Sequence, residues 1–278
     1  MTNPLLKTMK IGFIGAGHMS QTMIKGILES KLIRPQQIIV SNRTPGKLIK
    51  VAELFNVQTR EHNEQVVEEC DVVILAMKPQ DLPAAVEVFA NHFENHQTIV
   101  SLAAGINMKT LQKLMPVGRL VRVMPNTPSV IGRGVIGFLT QNDDEIVGDL
   151  MEDLFSSLGI LMEVENEDQF DALMISCSSG TGFVFEMMMY WQDWIEERGF
   201  SEEDSKKMTV ETFLGASLLA AQSVGIDIEE LQARVTSKKG VTAAGLNSMR
   251  ELEIERALRI SFEKAALRSK ELSTDNRR

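Results

Sequence analysis

The sequence predicts an α/β protein in which a doubly wound parallel sheet is followed by an all-helical domain. From Met9 to about residue 140, short β-branched runs alternate with segments of helix length. The strand candidates are continuously apolar, as in a parallel sheet covered by helices on both faces. From Glu167 onward only helical periodicity remains. With 278 residues, of which 44% are hydrophobic and 24% charged, the chain can bury a sizeable core.

The elements of the first half follow one another with short turns between them. Strands are predicted in KIGFIGA, QQIIVSN, DVVILAM, QTIVSLAAG, LVRVMP, GVIGFLT and, at 160–165, ILMEVE. Helices are predicted through MSQTMIKGILES, GKLIKVAELF, AAVEVFANHF, MKTLQKLM and from Asp143 to Leu158. The eight residues before Met9 are interpreted as a disordered lead-in or as the product of an upstream start.

The second half is predicted to consist of amphipathic helices. In SEEDSKKMTVETFLGASLLAAQSV, Ser201 is a candidate N-cap before an acidic first turn. The helical spacing predicts a buried apolar stripe, formed by Phe213, Leu214, Leu218 and Leu219. We place the domain boundary near residue 165, which gives domains of residues 1–165 and 166–278.

Composition excludes several classes of function. A net charge of -9 without a long basic run argues against nucleic-acid and anionic-membrane partners. No uninterrupted apolar run reaches the roughly 18 to 20 residues of a membrane span, and the N-terminus lacks the apolar core of a signal peptide. Cys70 and Cys177 have no metal-ligand spacing and are interpreted as reduced thiols. We therefore expect a cytoplasmic protein without a metal.

A glycine-rich turn after the first strand indicates a dinucleotide site. In IGFIGAGHMSQTM, Gly15 and Gly17 lie between the first strand and the first helix, the context that makes a G-x-G-x-x-G match specific. The third position is Ser20, which is small enough for close packing of helix and strand. Phosphate would lie at the helix N-terminus, where free N–H groups point outward. The alternative is a glycine turn that binds no ligand.

The end of the second strand favours NADP over NAD. NAD sites usually carry a carboxylate there to bind the ribose 2'-hydroxyl, whereas this chain has Ser41-Asn42-Arg43-Thr44. A guanidinium flanked by hydroxyl groups suits a 2'-phosphate by charge and geometry. We expect NADP(H), with NADH a possible substitute; the alternative is that Arg43 lies in solvent.

Three further stretches follow later strands, where ligands of open α/β sheets bind. They are LAMKPQ at 75–80, SLAAGI at 101–106 and RVMPNTP at 122–128. Together with the glycine turn, the SNR segment and VTSKKGVTAAGL at 235–246, their order resembles the pyrroline-5-carboxylate reductase family over nearly the whole chain. The resemblance implies a Rossmann-type N-terminal domain for residues 1–165. It also implies that the helices of residues 166–278 form a homodimer or a higher homo-oligomer.

The same resemblance implies roles for individual residues, each of which could instead be structural. The implied reaction is NADPH-dependent reduction of 1-pyrroline-5-carboxylate, a small imino acid, to proline by hydride transfer to the ring imine. Gly15, Ala16, Gly17, His18 and Met19 would bind pyrophosphate, Ser41, Asn42 and Arg43 the 2'-phosphate, and Asn63 the adenosine ribose. Ala76, Lys78 and Pro79 would contact the nicotinamide ribose, and Met124, Pro125 and Asn126 would border the nicotinamide and substrate.

The late loop departs from the family pattern. Where the family commonly reads V-T-S-P-G-G-T-T, this chain has Lys238-Lys239 in place of Pro-Gly. By resemblance, Thr242 would hydrogen-bond the ring nitrogen, and the carboxylate cradle would be formed by Ser237, Gly240 and Val241. The lysines are fair helix formers and could extend the preceding helix. They could bind the substrate carboxylate, disfavour the iminium by repulsion, or point to solvent.

A second departure leaves alternative functions open. CSSGTGFVF at 177–185 replaces the family's S-G-S-G-P-A-Y-V-F, so that Thr181-Gly182 stands where a rigid Pro-Ala is usual. Altered substrate loops beside intact cofactor motifs would suit a reductase-like regulatory protein, as in the bacterial late-competence proteins that resemble this family. A reductase of another small cyclic imino acid is the third interpretation.

Overall fold

The computed structural model describes residues 4–141 and 145–275. It contains one eight-stranded sheet and twelve α-helices within these residues. The strands are β1 Ile11–Ile14, β2 Ile38–Ser41, β3 Gln58–Arg60, β4 Val72–Leu75, β5 Thr98–Ser101, β6 Arg119–Met124, β7 Gly134–Thr140 and β8 Gly159–Glu163. The helices of the first part are α1 His18–Glu29, α2 Pro45–Phe55, α3 Asn63–Glu69, α4 Leu82–Phe89, α5 Met108–Leu114 and α6 Glu145–Phe155.

From Glu167, the described residues form helices joined by turns and no strand, as predicted. The helices are α7 Glu167–Leu173, α8 Gly180–Glu196, α9 Glu202–Gln222, α10 Ile228–Arg234, α11 Val241–Glu251 and α12 Ile254–Asp275. A π-helical segment, Met174–Ser179, lies between α7 and α8. Ser201 caps α9, since its hydroxyl accepts a hydrogen bond from the Asp204 amide at 3.1 Å.

Contacts divide the chain into two compact units. One contains the residues up to Ser178 and those from Ala266, and the other runs from Ser179 to Ala265. The helix α12 therefore contributes to both. The boundary near residue 165 stays a prediction about domain organisation.

The sheet has the order β3-β2-β1-β4-β5-β6-β7-β8. Its first six strands are parallel, and β2 and β4 pair with opposite edges of β1. This reversal of strand order beside β1 is a topological switch point, where open α/β sheets bind ligands at the carboxyl ends of their strands. Apolar side chains on both faces, among them Phe13, Phe89 and Phe155, form the two layers of the core.

Three sequence predictions about this unit need correction. GVIGFLT forms β7, but β7 pairs antiparallel with β6, because the connection between them is too short for a helical crossover. Gln58–Arg60 is a strand that the sequence analysis missed. Pro4–Lys7 forms a 3-10 helix with a buried Leu6, so this part of the lead-in is folded. The predicted helix start at Asp143 lies outside the described residues.

The second unit is built on a pair of packed helices. α8 and α9 lie against each other, and the rings of Trp191 and Phe213 meet edge to face at 5.4 Å between centroids. The predicted buried stripe on α9 is wrong for the single chain: Leu214, Leu218 and Leu219 are exposed and Phe213 is half-buried. The helical period was correct, but helices in this unit expose apolar faces that no other described part of the chain covers.

Candidate active site

The glycine-rich turn has the conformation and the space that a dinucleotide requires. Gly15 has φ +117°, and a Cβ there would lie 2.6 Å from the carbonyl oxygen of Ala76. At Gly17, the N-cap of α1, the position of a Cβ faces open space. The first turn of α1 contains His18 and Met19, and no side chain caps its amides. A phosphate can therefore approach the backbone, and the local dipole favours its negative charge.

The end of β2 is joined to this turn by hydrogen bonds. The Gly15 amide donates to the Ser41 carbonyl at 2.8 Å, and the Ala16 amide donates to Asn42 Oδ1 at 3.1 Å. Ser41 is fully buried, and its hydroxyl donates to Asn63 Oδ1 at 2.8 Å. These predicted cofactor residues therefore lie together in one cluster.

Electrostatics at the end of β2 fit a 2'-phosphate better than a free hydroxyl. Arg43 is exposed and forms no ion pair with any described residue, so its guanidinium is available to a ligand. Lys47 and Lys50 follow on α2 and are exposed as well. Since Ser41 occupies the place of the usual carboxylate, no negative charge at the strand end would repel a phosphate.

The end of β4 completes the cluster around the turn. The Ala76 amide donates to the Ile14 carbonyl at 3.0 Å, which continues the β1–β4 pairing beyond the strands. Lys78 is exposed and precedes the short 3-10 helix that begins at Pro79. Lys78 and Pro79 therefore lie just beyond the carboxyl end of β4.

The end of β6 is a buried junction with a precise hydrogen-bond pattern. Met124, Pro125 and Asn126 are all buried. Asn126 Oδ1 accepts from the Val135 amide at 2.9 Å, and Asn126 Nδ2 donates to the Cys177 carbonyl at 3.2 Å. Asn126 thus joins the end of β6 to the start of β7 and to the π-helical segment. No hydrogen bond among the described residues links it to the glycine turn.

The remaining predicted site residues lie in one turn of the second unit. α10 ends at Arg234 and α11 begins at Val241, so the two lysines do not extend the preceding helix. The Gly240 amide donates to the Ser237 carbonyl at 3.0 Å and closes a turn around Lys238 and Lys239.

The start of α11 is open to ligands. Gly240 is its N-cap, and a Cβ there would collide with the Ser237 hydroxyl. Val241 is 94% exposed, and Thr242 is exposed beside it. No described side chain caps the helix and no acidic residue stands in its first turn, so its free amides can donate hydrogen bonds to a carboxylate.

Known proteins are similar to this chain over nearly its whole length. A family model described as NADP oxidoreductase coenzyme F420-dependent matches residues 10–105, and one described as pyrroline-5-carboxylate reductase dimerisation matches residues 167–272. Pyrroline-5-carboxylate reductase 1 of Bacillus spizizenii is 33% identical over 98% of this chain and 92% of its own length. The Pseudomonas aeruginosa reductase is also 33% identical, over 96% of this chain and 98% of its own length.

The chain belongs to the pyrroline-5-carboxylate reductase family. The solved reductase from Coxiella burnetii has a TM-score of 0.89 at 29% identity and covers 95% of this chain and 98% of its own. A Plasmodium falciparum pyrroline carboxylate reductase, solved with NADP bound, has a TM-score of 0.84 at 23% identity, over 96% of this chain and 98% of its own. At 23% identity, the similarity to the Plasmodium falciparum structure supports the fold alone.

Within this reductase family, the Lys238-Lys239 substitution has a backbone consequence. Lys239 has φ +59°, in the left-handed region that favours glycine. Pro-Gly suits a turn with a positive φ at its third residue, and this chain forms a turn of that kind with Lys239 at the third position. Both lysines are exposed and form no ion pair with any described residue.

Apolar side chains on the helices of this reductase-family member are extensively exposed. Phe185, Met189, Trp191 and Trp194 on α8 are each between 47% and 57% exposed. One helical stretch in the described chain, Glu167–Glu196, is long and apolar enough to cross a membrane by length and composition. The sequence analysis missed it because it required an uninterrupted apolar run. The stretch falls inside the region that matches the dimerisation model, and exposed apolar faces are typical of helices that pack on a second subunit.

Sequence reasoning also missed a buried ion pair beside the site. Arg122 on β6 is 2% exposed and donates to the carboxylate of Glu167 at the start of α7. Its guanidinium lies 4.0 Å from the centroid of the Phe170 ring. Burial lowers the pKa of Arg122 and raises the pKa of the neighbouring Asp171. The signal in the sequence was Arg122 within the otherwise apolar run LVRVM at 120–124.

Proposed function

We propose that this protein catalyses the NADPH-dependent reduction of 1-pyrroline-5-carboxylate to proline. The observation that carries the proposal is full-length similarity to pyrroline-5-carboxylate reductases, at 33% identity over 98% of the chain. The reaction needs a dinucleotide turn and a carboxylate-binding helix start, and the glycine-rich turn after β1 and the start of α11 support these two roles. Neither a metal nor a covalent nucleophile is required, because catalysis consists mainly of orienting donor and acceptor.

The first unit supplies the cofactor site. The backbone from Gly15 to Met19 binds the pyrophosphate at the start of α1, and Arg43 pairs with the 2'-phosphate. Asn63, held by Ser41, is left with its Nδ2 group for the adenosine ribose. NADPH, when bound, supplies a hydride from C4 of its nicotinamide. Ala76, Lys78, Pro79 and the Met124–Asn126 segment border the nicotinamide half.

The second unit supplies the substrate site. The amides of Gly240 and Val241, with the Ser237 hydroxyl, hold the substrate carboxylate at the positive end of α11. Thr242, the second residue of that helix, donates a hydrogen bond from its hydroxyl to the ring nitrogen or accepts one from the iminium N–H. These contacts fix C5 of the ring for attack and involve no covalent bond to the protein.

The exposed helices suit a homo-oligomer. The family model for dimerisation covers residues 167–272, and the exposed aromatic and methionine side chains of α8 lie within it. A second copy of the chain is the partner that such a surface serves, whereas the net charge of -9 disfavours nucleic acid. We place the enzyme in the cytoplasm, without a membrane partner.

The decisive experiment follows NADPH oxidation by the purified protein with 1-pyrroline-5-carboxylate, for wild type and for Thr242→Ala. We expect the variant to lose about 100-fold in kcat/KM, the usual effect of removing one well-placed hydrogen-bond group. Its NADPH affinity, measured by fluorescence, should not change. Ser248→Ala, at an exposed position on the same helix, is the matched control and should turn over normally. Equal activity of Thr242→Ala and the control would remove Thr242 from the mechanism.

A regulatory, reductase-like role is the second candidate, favoured by the departures at 238–239 and 181–182. The same assay separates the two functions. Tight NADPH binding without turnover, in a protein that forms its oligomer, would support the regulatory role or a reductase whose substrate is another cyclic imine. Turnover in the range of about 1 to 1000 per second would support the reductase.

A further inference from the structure

A buried ion pair, here called the first tether, lies near the end of β6, at residues to which no cofactor or substrate role is assigned. Arg122 is fully buried on β6, and its carboxylate partner Glu167 is the first residue of α7. The other carboxylate oxygen of Glu167 accepts from the Met108 amide at 2.6 Å, at the start of α5. Arg122 and Glu167 therefore connect the strand to two helices at once.

A second tether joins the same strand to the same helical stretch. Asn126 donates to the Cys177 carbonyl at 3.2 Å, and the Ser178 hydroxyl donates to the Pro125 carbonyl at 3.4 Å. Cys177 and Ser178 belong to the π-helical segment, which is a rare structure in proteins and frequent at functional sites. The first tether joins Arg122 to Glu167, and the second joins Asn126 to Cys177, so both segments run in the same order between the two tethers.

The spacing of the tethers explains how one can control the other. Arg122 and Asn126 are four residues apart on extended chain, which spans about 13 Å at 3.3 Å per residue. Glu167 and Cys177 are ten residues apart in helical conformation, which spans about 15 Å at the α-helical rise of 1.5 Å per residue and slightly less because the residues from Met174 are π-helical. Because these lengths nearly match, fixing the helix at Glu167 sets where the Cys177 carbonyl meets Asn126.

The side chain of Asn126 is held by hydrogen bonds at both its oxygen and its nitrogen. Its Oδ1 accepts from the Val135 amide at 2.9 Å while its Nδ2 holds the Cys177 carbonyl, and the residue is 5% exposed. A shift of the π-helical segment would therefore break a buried hydrogen bond or move the Met124–Asn126 backbone. Breaking the bond would leave a buried polar group without a partner, which is costly.

We propose that Arg122 is a positioning residue for hydride transfer: through Glu167 it holds the helical stretch that fixes Asn126, and so sets the Met124–Pro125–Asn126 segment. This inference rests on the proposed function, in which that segment borders the nicotinamide and the substrate. Arg122 itself touches neither of them. A displacement of about 1 Å at a reacting pair can cost about 100-fold in rate, so a tether of this kind would act on kcat.

The test compares Arg122→Gln and Arg122→Lys with a matched control, Arg60→Gln. Arg60 on β3 forms an ion pair with Glu69 through two hydrogen bonds of 2.6 and 2.7 Å. β3 is an edge strand, and β2, β1, β4 and β5 separate it from β6. The measurements are kcat and KM for 1-pyrroline-5-carboxylate, NADPH affinity by fluorescence, and the primary isotope effect with NADPH deuterated at the transferred position. All are made well below each variant's measured unfolding temperature.

We expect Arg122→Gln to lower kcat by about 10- to 100-fold and to increase the isotope effect, with NADPH affinity within about twofold of wild type. Arg122→Lys keeps the charge and should recover part of the rate; it is also the variant to use if Arg122→Gln does not fold. Arg60→Gln should lose stability but keep its kcat. A kcat and an isotope effect at wild-type values in both Arg122 variants would overturn the proposal and leave a purely structural ion pair.

A second measurement tests the role of Arg122 independently of the reductase activity. If wild type shows no turnover, the reductase function fails, and hydrogen exchange at the Val135 amide then tests the tether directly. Faster exchange at Val135 in Arg122→Lys than in Arg60→Gln would support coupling of Arg122 to Asn126. Unchanged exchange in the Arg122 variants would overturn it.

Discussion

Replacing Lys239 by glycine should stabilise the protein, because the present lysine holds a backbone conformation that L-residues avoid. Its φ is +59°, and it is the third residue of a turn closed by the 3.0 Å hydrogen bond from the Gly240 amide to the Ser237 carbonyl. The side chain is exposed and forms no ion pair with any described residue. Its removal therefore costs little in lost contacts.

The magnitude follows from two opposing terms. A left-handed conformation costs a residue with a Cβ about 1 to 2 kcal/mol relative to glycine. Glycine in turn gives the unfolded chain more freedom, which costs about 0.4 to 1 kcal/mol. The difference of the two terms is about 0 to 1.6 kcal/mol, so Lys239→Gly should raise the free energy of unfolding by about 0.8 kcal/mol. Lys239→Ala should lie within about 0.5 kcal/mol of wild type.

The assay is urea unfolding followed by circular dichroism, at one protein concentration for all variants, since a dimer's stability depends on concentration. Both variants remove the same charge, so any difference between them reports the backbone alone. The same pair can be compared in kcat/KM for 1-pyrroline-5-carboxylate, where a shared change reports the ammonium group. If the glycine variant is no more stable than the alanine variant, Lys239 does not adopt a left-handed conformation in solution.

Three other predictions test the first unit. Arg43→Ala should weaken NADPH binding by about 10-fold and leave NADH binding nearly unchanged, measured by fluorescence titration, because only the 2'-phosphate loses its partner. Gly15→Ala should abolish dinucleotide binding and destabilise the fold by about 2 to 3 kcal/mol in urea unfolding, since the added Cβ would lie 2.6 Å from the Ala76 carbonyl oxygen at φ +117°. Iodoacetamide at pH 8 should label Cys177 long before Cys70, as read by mass spectrometry, because burial raises the pKa of Cys70 to about 12 and leaves about one thiolate in 10,000. Equal labelling of the two cysteines in the folded protein would contradict the buried position of Cys70.

Much of the fold follows from patterns that are local in the chain. Continuous apolar runs such as those of β1 and β4 are strands whose neighbours lie on both faces. Between β1 and α1, Gly15 marks a turn with a positive φ that residues with a Cβ rarely adopt. The cap at Ser201 is equally local, because it depends on an amide three residues away. Such features need no knowledge of distant contacts.

The candidate site was predictable in part. The glycine turn and Arg43 follow from local motifs, and the order of motifs along the chain indicated the family. The Arg122–Glu167 ion pair joins residues 45 positions apart, and Asn126 meets Cys177 at a separation of 51. Pairings over such distances depend on how strands and helices pack, and one sequence without relatives carries no signal for them.

The sequence by itself determined the class of fold, the cofactor turn and the helical character of the second half, because each depends on residues close together in the chain. The tertiary structure decided three other features. It set β7 antiparallel to β6, kept the Ser237–Gly240 turn in spite of two lysines, and left the apolar stripe of α9 exposed. Each depends on tertiary packing. A short connection permits only an antiparallel return of the chain, and a helix buries its apolar face only where a second surface packs against it.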